Sequence, residues 1–163
     1  MATNKPTNKP LRAPGRPAAV RRPREAGDAL DGDTFESETH GIRVRVTPSF
    51  DNERSNPSES EFFWLYTVEI ANASAATVQL ISRHWRITDG RGQLHEVKGP
   101  GVVGEQPVLA PGQSYSYTSG CPLRTPTGFM VGTYQMVAGD GDPLTVAIPA
   151  FSLDSPFQRR SLN

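Results

Sequence analysis

Phe62-Phe-Trp-Leu-Tyr-Thr-Val-Glu-Ile70 and, after a polar break at Asn72-Ala73-Ser74, Val78-Gln-Leu-Ile-Ser-Arg-His-Trp-Arg-Ile-Thr-Asp89 decide the fold. Phe62, Trp64, Tyr66, Val68 and Ile70 fall on one face of an extended chain. Ile81, Trp85 and Ile87 share a face in the second run. A period of two is the mark of a strand buried on one side. The stretch from Ser58 to Asp89 has no Gly or Pro, so a helix competes with this reading. Its aromatic and β-branched content favours two strands joined by a turn.

Outward from this pair the same period recurs. Ile42, Val44 and Val46 alternate with Arg43, Arg45 and Thr47, and Pro48 ends that strand or marks an edge. Asp89-Gly90 and Asp140-Gly141 are hairpin signals. Leu94 to Val97, Ser114 to Ser119, Phe129 to Val137 and Leu144 to Leu153 supply further short strands. Gly99 to Gly112 holds four Gly and three Pro and reads mostly as loop. About seven short strands punctuated by turns predict an all-β, fibronectin type III or immunoglobulin-like sandwich. The single Cys121 excludes an inter-sheet disulfide and a Cys-rich zinc site.

The whole chain has 163 residues, a length suited to one domain. Its 17 basic and 17 acidic side chains cancel, but they are unevenly placed. Residues 1–24 carry Lys5, Lys9, Arg12, Arg16, Arg21, Arg22 and Arg24 with no acid; residues 25–38 carry Glu25, Asp28, Asp31, Asp33, Glu36 and Glu38 with no base. Both blocks are poor in apolar residues and read as a disordered extension over 1–38, preceding a folded domain over 39–163. Five prolines oppose an amphipathic targeting helix in the basic block, and no aromatic precedes Phe35 to stack on bases, so nucleic acid is a disfavoured partner. No apolar run is long enough to cross a membrane as a helix, which suggests a cytoplasmic protein.

Gly99-Pro-Gly101-Val-Val-Gly104 is a formal GxGxxG. Pro107 and Pro111 oppose the helix a dinucleotide fold places next, and no acid lies between Gln106 and Gly139 to hold a ribose. Gly99, Gly101 and Gly104 remain candidates for a backbone anion nest, although Pro100 removes a donor; a plain inter-strand loop is the favoured alternative. For nucleophilic catalysis the only thiol is Cys121, with His40, His84 and His95 as bases, and nothing in the sequence pairs them. His95-Glu96 lacks the accompanying ligands of a metal site. No catalytic residues and no cofactor are assigned. Trp64, Tyr66, Trp85, Tyr115, Tyr117 and Tyr134 are many aromatics for a small sandwich; a surplus at the surface, with Arg83 beside Trp85, fits a protein–protein contact. The competing reading packs them between the sheets. Arg83 and Arg86 should face opposite ways.

Arg83-His-Trp-Arg-Ile-Thr-Asp89, Glu96-Val-Lys-Gly-Pro-Gly-Val-Val-Gly104, Gln106-Pro107, Pro111-Gly112, Tyr117-Thr-Ser-Gly120, Pro126-Thr-Gly128, Met130-Val-Gly-Thr-Tyr-Gln-Met136 and Ile148-Pro-Ala-Phe-Ser-Leu153 follow in an order that resembles the ApaG (CorD) family over residues 40–157. The resemblance implies a fibronectin-III-like sandwich. It also implies an association with cobalt and magnesium tolerance and with diadenosine polyphosphate metabolism, and a part in partner binding. A nucleotide or pyrophosphate ligand at Gly99, Gly101 and Gly104 is the alternative it suggests. An unidentified protein partner, touched through Arg83 and Trp85, is the leading expectation.

Overall fold

The computed structural model describes residues 33–157. Nine strands follow in order: β1 (Phe35–Thr39), β2 (Ile42–Phe50), β3 (Phe62–Asn72), β4 (Val78–Asp89), β5 (Leu94–Pro100), β6 (Val108–Leu109), β7 (Ser114–Leu123), β8 (Gly128–Ala138) and β9 (Pro143–Leu153). One sheet runs β1-β2-β3-β7. The other runs β5-β4-β8-β9, with β6 on the end of β4. Every pairing between named strands is antiparallel. The all-β sandwich read from the alternation is therefore the fold, with no α-helix among the described residues.

The core lies between the sheets and is dominated by rings. Trp64, Trp85, Tyr134 and Phe151 are wholly buried. Trp85 meets Tyr66 and Phe151 edge to face, with centroids 5.5 and 5.9 Å away, the geometry that ring quadrupoles favour. Trp64 donates its indole N–H to the Asp154 carbonyl (2.7 Å), and the hydroxyls of Tyr117 and Tyr134 bond to each other. Thus the aromatics expected in part at a partner surface pack the two sheets together instead, and only Tyr115 of that group stays partly exposed. The sandwich had room for them because edge-to-face stacking and these polar contacts accommodate the rings.

A second correction concerns the amino-terminal boundary. Phe35–Glu38, assigned above to the extension, belong to β1, which pairs with β2 through a tight turn at His40-Gly41. Both turn residues have positive φ (52° and 77°), as a two-residue hairpin turn requires. The acids of this strand are cross-strand partners: Glu36 lies opposite Arg45 and Glu38 opposite Arg43, with Arg45 Nη2 3.0 Å from Glu36 and Arg43 Nη2 3.8 Å from Glu38. They pair with β2; the basic run and the first acidic residues lie outside the described part of the chain. Pro48 falls beyond the last β1–β2 pair, Phe35 with Val46, so its missing N–H leaves no ladder bond unmade on that side.

β1 closes one side of the sandwich. Phe35 packs on Phe151 (6.2 Å between centroids). Ser37 Oγ donates to the Ala147 carbonyl (2.9 Å), and Ala147 N–H donates to Thr39 Oγ1 (3.1 Å). Removing β1 should cost about 1–2 kcal/mol, given one half-buried ring and its cross-strand pairs. A chain beginning at residue 39 is therefore expected to melt several degrees below one beginning at residue 33; equal melting temperatures would show that β1 contributes nothing.

Candidate functional site

The site begins with a break in the β4 ladder. Leu80 pairs with Met136 and Ser82 with Gln135, leaving Ile81 as an extra residue, a β-bulge. Before it, Val78 and Leu80 point inward; after it, Trp85, Ile87 and Asp89 do. The bulge thus shifts the inward set by one residue. It also releases the Ile81 carbonyl from β8, and that carbonyl accepts from Gly101 N–H (2.8 Å) and Gln106 Nε2 (2.9 Å). Arg83, on the inward face beside Trp85, donates through Nη1 to the carbonyls of Pro100 (3.0 Å) and Gly101 (2.9 Å). A Cβ on Gly99 would come within 3.0 Å of that guanidinium.

These bonds decide what the glycine run does. Gly99 is a strand residue opposite Arg83. Gly101 has φ +59° and faces the Glu105 carbonyl so closely that a Cβ would lie 2.2 Å from it. Val102 and Glu105 exchange N–H···O bonds of 2.8 and 2.9 Å. The amides of Gly101, Val102 and Glu105 are therefore spent inside the protein. Gly104, with φ +76° and open space around it, serves the turn. The geometry favours the inter-strand loop over an anion nest.

The concavity lies elsewhere, on the side of the sandwich opposite β1. Here β7 and β5 are the free edges of their sheets, and a cleft of about 860 Å³ opens between them. Tyr66, Trp85, Ile87 and Met130 form its floor. Arg54, Arg83, Arg91 and Arg124 line it, against the acids Glu61 and Asp89. Arg91 and Arg124 come from different loops, brought together by a bond from Gly90 N–H to Thr125 Oγ1 (2.8 Å). Neither makes an ion pair among the described residues. Asp89 is already engaged: it accepts from the N–H groups of Arg91 (2.9 Å) and Gln93 (3.0 Å) and lies 3.6 Å from His95. Desolvation pushes its carboxyl up, but these contacts outweigh it and hold the group below the usual range.

Trp85, expected at a partner surface, is only 2% exposed. It contributes to the cleft from beneath, and its buried indole N–H has no acceptor among the described residues. An unmade bond at a buried donor is costly. Arg83 is half-buried in the cleft, and Arg86 points outward, as the opposite-face expectation requires. Sequence reasoning missed Arg91 and Arg124, because nothing local relates two arginines on separate loops.

Cys121 and His95 also line the cleft, and no hydrogen bond joins them among the described residues. Among the described residues the thiol's one hydrogen bond is to the Pro122 carbonyl at 4.0 Å, and burial pushes its pKa up from 9.0 to about 11, opposite to what an activated thiol needs. His84 lies 3.6 Å from Glu96, and His40 occupies the β1–β2 turn. Among the described residues no group of three or more His, Cys, Asp or Glu could hold a metal ion, and no helix is long and apolar enough to cross a membrane.

The architecture defines a two-sheet β domain with one closed and one open side. The family model for the ApaG domain matches residues 52–138. The chain is 61% identical over 125 residues to Protein ApaG of Beijerinckia indica, covering 77% of this chain and 96% of that one. It is 60% identical over 129 residues to Protein ApaG of Methylobacterium sp. strain 4-46, covering 79% and 99%. A Bordetella pertussis crystal structure described under the name ApaA protein superposes with a TM-score of 0.69 at 50% identity, covering 72% of this chain and 95% of that one. This chain belongs to the ApaG family.

The buried acids set an alkaline limit. Burial raises Cys121 to about 11 and holds Tyr117 and Tyr134 above the usual phenol value of 10.0. Raised folded values mean that the unfolded chain releases these protons first. Their stability is therefore fully present below the unfolded thiol value near 9.0 and is lost as the pH climbs towards 11. The thermal midpoint should stay level from neutral pH to about pH 9 and decline above it; a midpoint unchanged at pH 11 would contradict this.

Proposed function

We propose that this chain is a cytoplasmic, non-catalytic interaction module that engages a partner protein through the cleft between β5 and β7. The observation that carries the reading is the composition of that cleft: an apolar, ring-rich floor beneath Arg83, Arg91 and Arg124, which make no ion pair among the described residues. Trp, Tyr and Arg in a concave, partly desolvated setting are what protein contacts use for most of their binding energy. The inert setting of Cys121 supports binding rather than bond-breaking. Any role in cobalt or magnesium tolerance runs through the partner, since an arginine-lined cleft repels a divalent cation. The alternative ligand, a nucleotide or pyrophosphate, draws its support from the same arginines and not from Gly99, Gly101 and Gly104.

The test is affinity capture from native lysate with the full chain and with an Arg91→Glu, Arg124→Glu chain. Both side chains are exposed, so the variant should keep its melting temperature. Opposing charge at a binding site weakens association steeply, and recovery of the captured partner should fall at least about tenfold. An unchanged set of captured proteins would remove the cleft from the interaction.

A further inference from the structure

The open side carries a second feature that a small anion would have no use for. β7 is ten residues long, Ser114–Leu123, and contains no Lys, Arg, Asp or Glu. Among the described residues it pairs with β3 alone, so alternate backbone groups along its other edge have no strand partner there. Natural sheets protect such edges with charges, cover or brevity. The other edges of this domain follow that rule: β1 carries Glu36 and Glu38, β5 carries Glu96 and Lys98, and β9 is covered by β1. β7 has only Pro122, close to its end. Its inward residues Ser119, Cys121 and Leu123 form a wall of the cleft, with Tyr66 and Trp85 beneath.

We propose that the cleft takes an extended segment of a partner protein, added as a further strand along β7, with an aromatic or large aliphatic side chain on the floor and acidic residues to either side. This rests on the interaction-module reading above. Strand addition draws affinity from main-chain hydrogen bonds and specificity from alternate side chains. Here every second residue of the segment faces the cleft, where Tyr66, Trp85 and Met130 receive the apolar one. Arg83, Arg91 and Arg124 face the acidic ones.

The experiment selects short random peptides on the immobilised full chain. A selected peptide is then prepared unchanged, with its acids replaced by lysine, and with alternate backbone nitrogens methylated. Sequences should be enriched in an aromatic or aliphatic residue between acids. Lysine replacement and N-methylation should each weaken binding at least about tenfold, because each removes charge pairing or several main-chain bonds. In the ¹⁵N spectrum the Trp85 indole N–H should shift on binding, while that of Trp64, already bonded to Asp154, stays in place. Selected sequences without acids, an N-methylated peptide that binds as well, pairing of β7 with a second copy of the chain, or inorganic pyrophosphate moving Trp85 where no peptide does would each overturn the proposal. If it falls while the Arg91→Glu, Arg124→Glu chain still loses its captured partner, strand addition is wrong and the module reading stands; if capture is also unaffected, both fall.

Discussion

One inserted residue organises the functional half of this molecule. Ile81 interrupts the β4–β8 ladder, and the inward placement of Arg83 and Trp85 follows from that interruption. Without it, the parity that buries Val78 and Leu80 would turn Trp85 and Ile87 outward, since a one-residue slip exchanges the faces of a strand. With it, both halves of β4 bury their apolar residues, and Arg83 comes inward beside Trp85. The freed Ile81 carbonyl takes the Gly101 amide, while Arg83 takes the carbonyls of Pro100 and Gly101. The glycine run is thus held from both its donors and its acceptors, and none of Gly99, Gly101 and Gly104 lines the cleft.

The asymmetry of the sandwich gives that cleft its meaning. On one side β1 folds back over β9 and seals the core with Phe35 and a pair of side-chain to main-chain bonds. On the other side nothing among the described residues performs that service for β7. The core beneath is ordered without a ligand: rings stack edge to face, and the Tyr117 and Tyr134 hydroxyls satisfy each other. The buried Trp85 N–H is an exception to this economy. A cleft with an apolar floor lined by Arg83, Arg91 and Arg124 is arranged for an occupant with an apolar group and negative charge.

Much of this was legible in the sequence, and the rest was not for identifiable reasons. Alternation in β2 and β3 and the Asp-Gly turns gave the all-β sandwich directly. In β4 the odd residues Ile81, Trp85 and Ile87 alternate without a bulge, so the chain could be read as one regular strand; the burial of Val78 and Leu80 shows the other parity at work. β1 was concealed by Glu36 and Glu38, whose partners Arg43 and Arg45 come opposite only once the His40-Gly41 turn is placed. Spacing alone exposed Gly99, Gly101 and Gly104. Whether their amides were free depended on Ile81 and Glu105, which is tertiary information. Arg91 and Arg124 meet through a bond between two loops, a relation no local pattern carries.

Amide hydrogen exchange on the free chain tests the central claim most directly. If the Ile81 bulge pins the loop and β7 is kept open, the Gly101 amide should be protected to the level of β3 and β4 core amides. Alternate amides along β7 should exchange orders of magnitude faster than those bonded to β3. A Gly101 amide exchanging as freely as that of Gly104, or uniform protection along β7, would contradict the account.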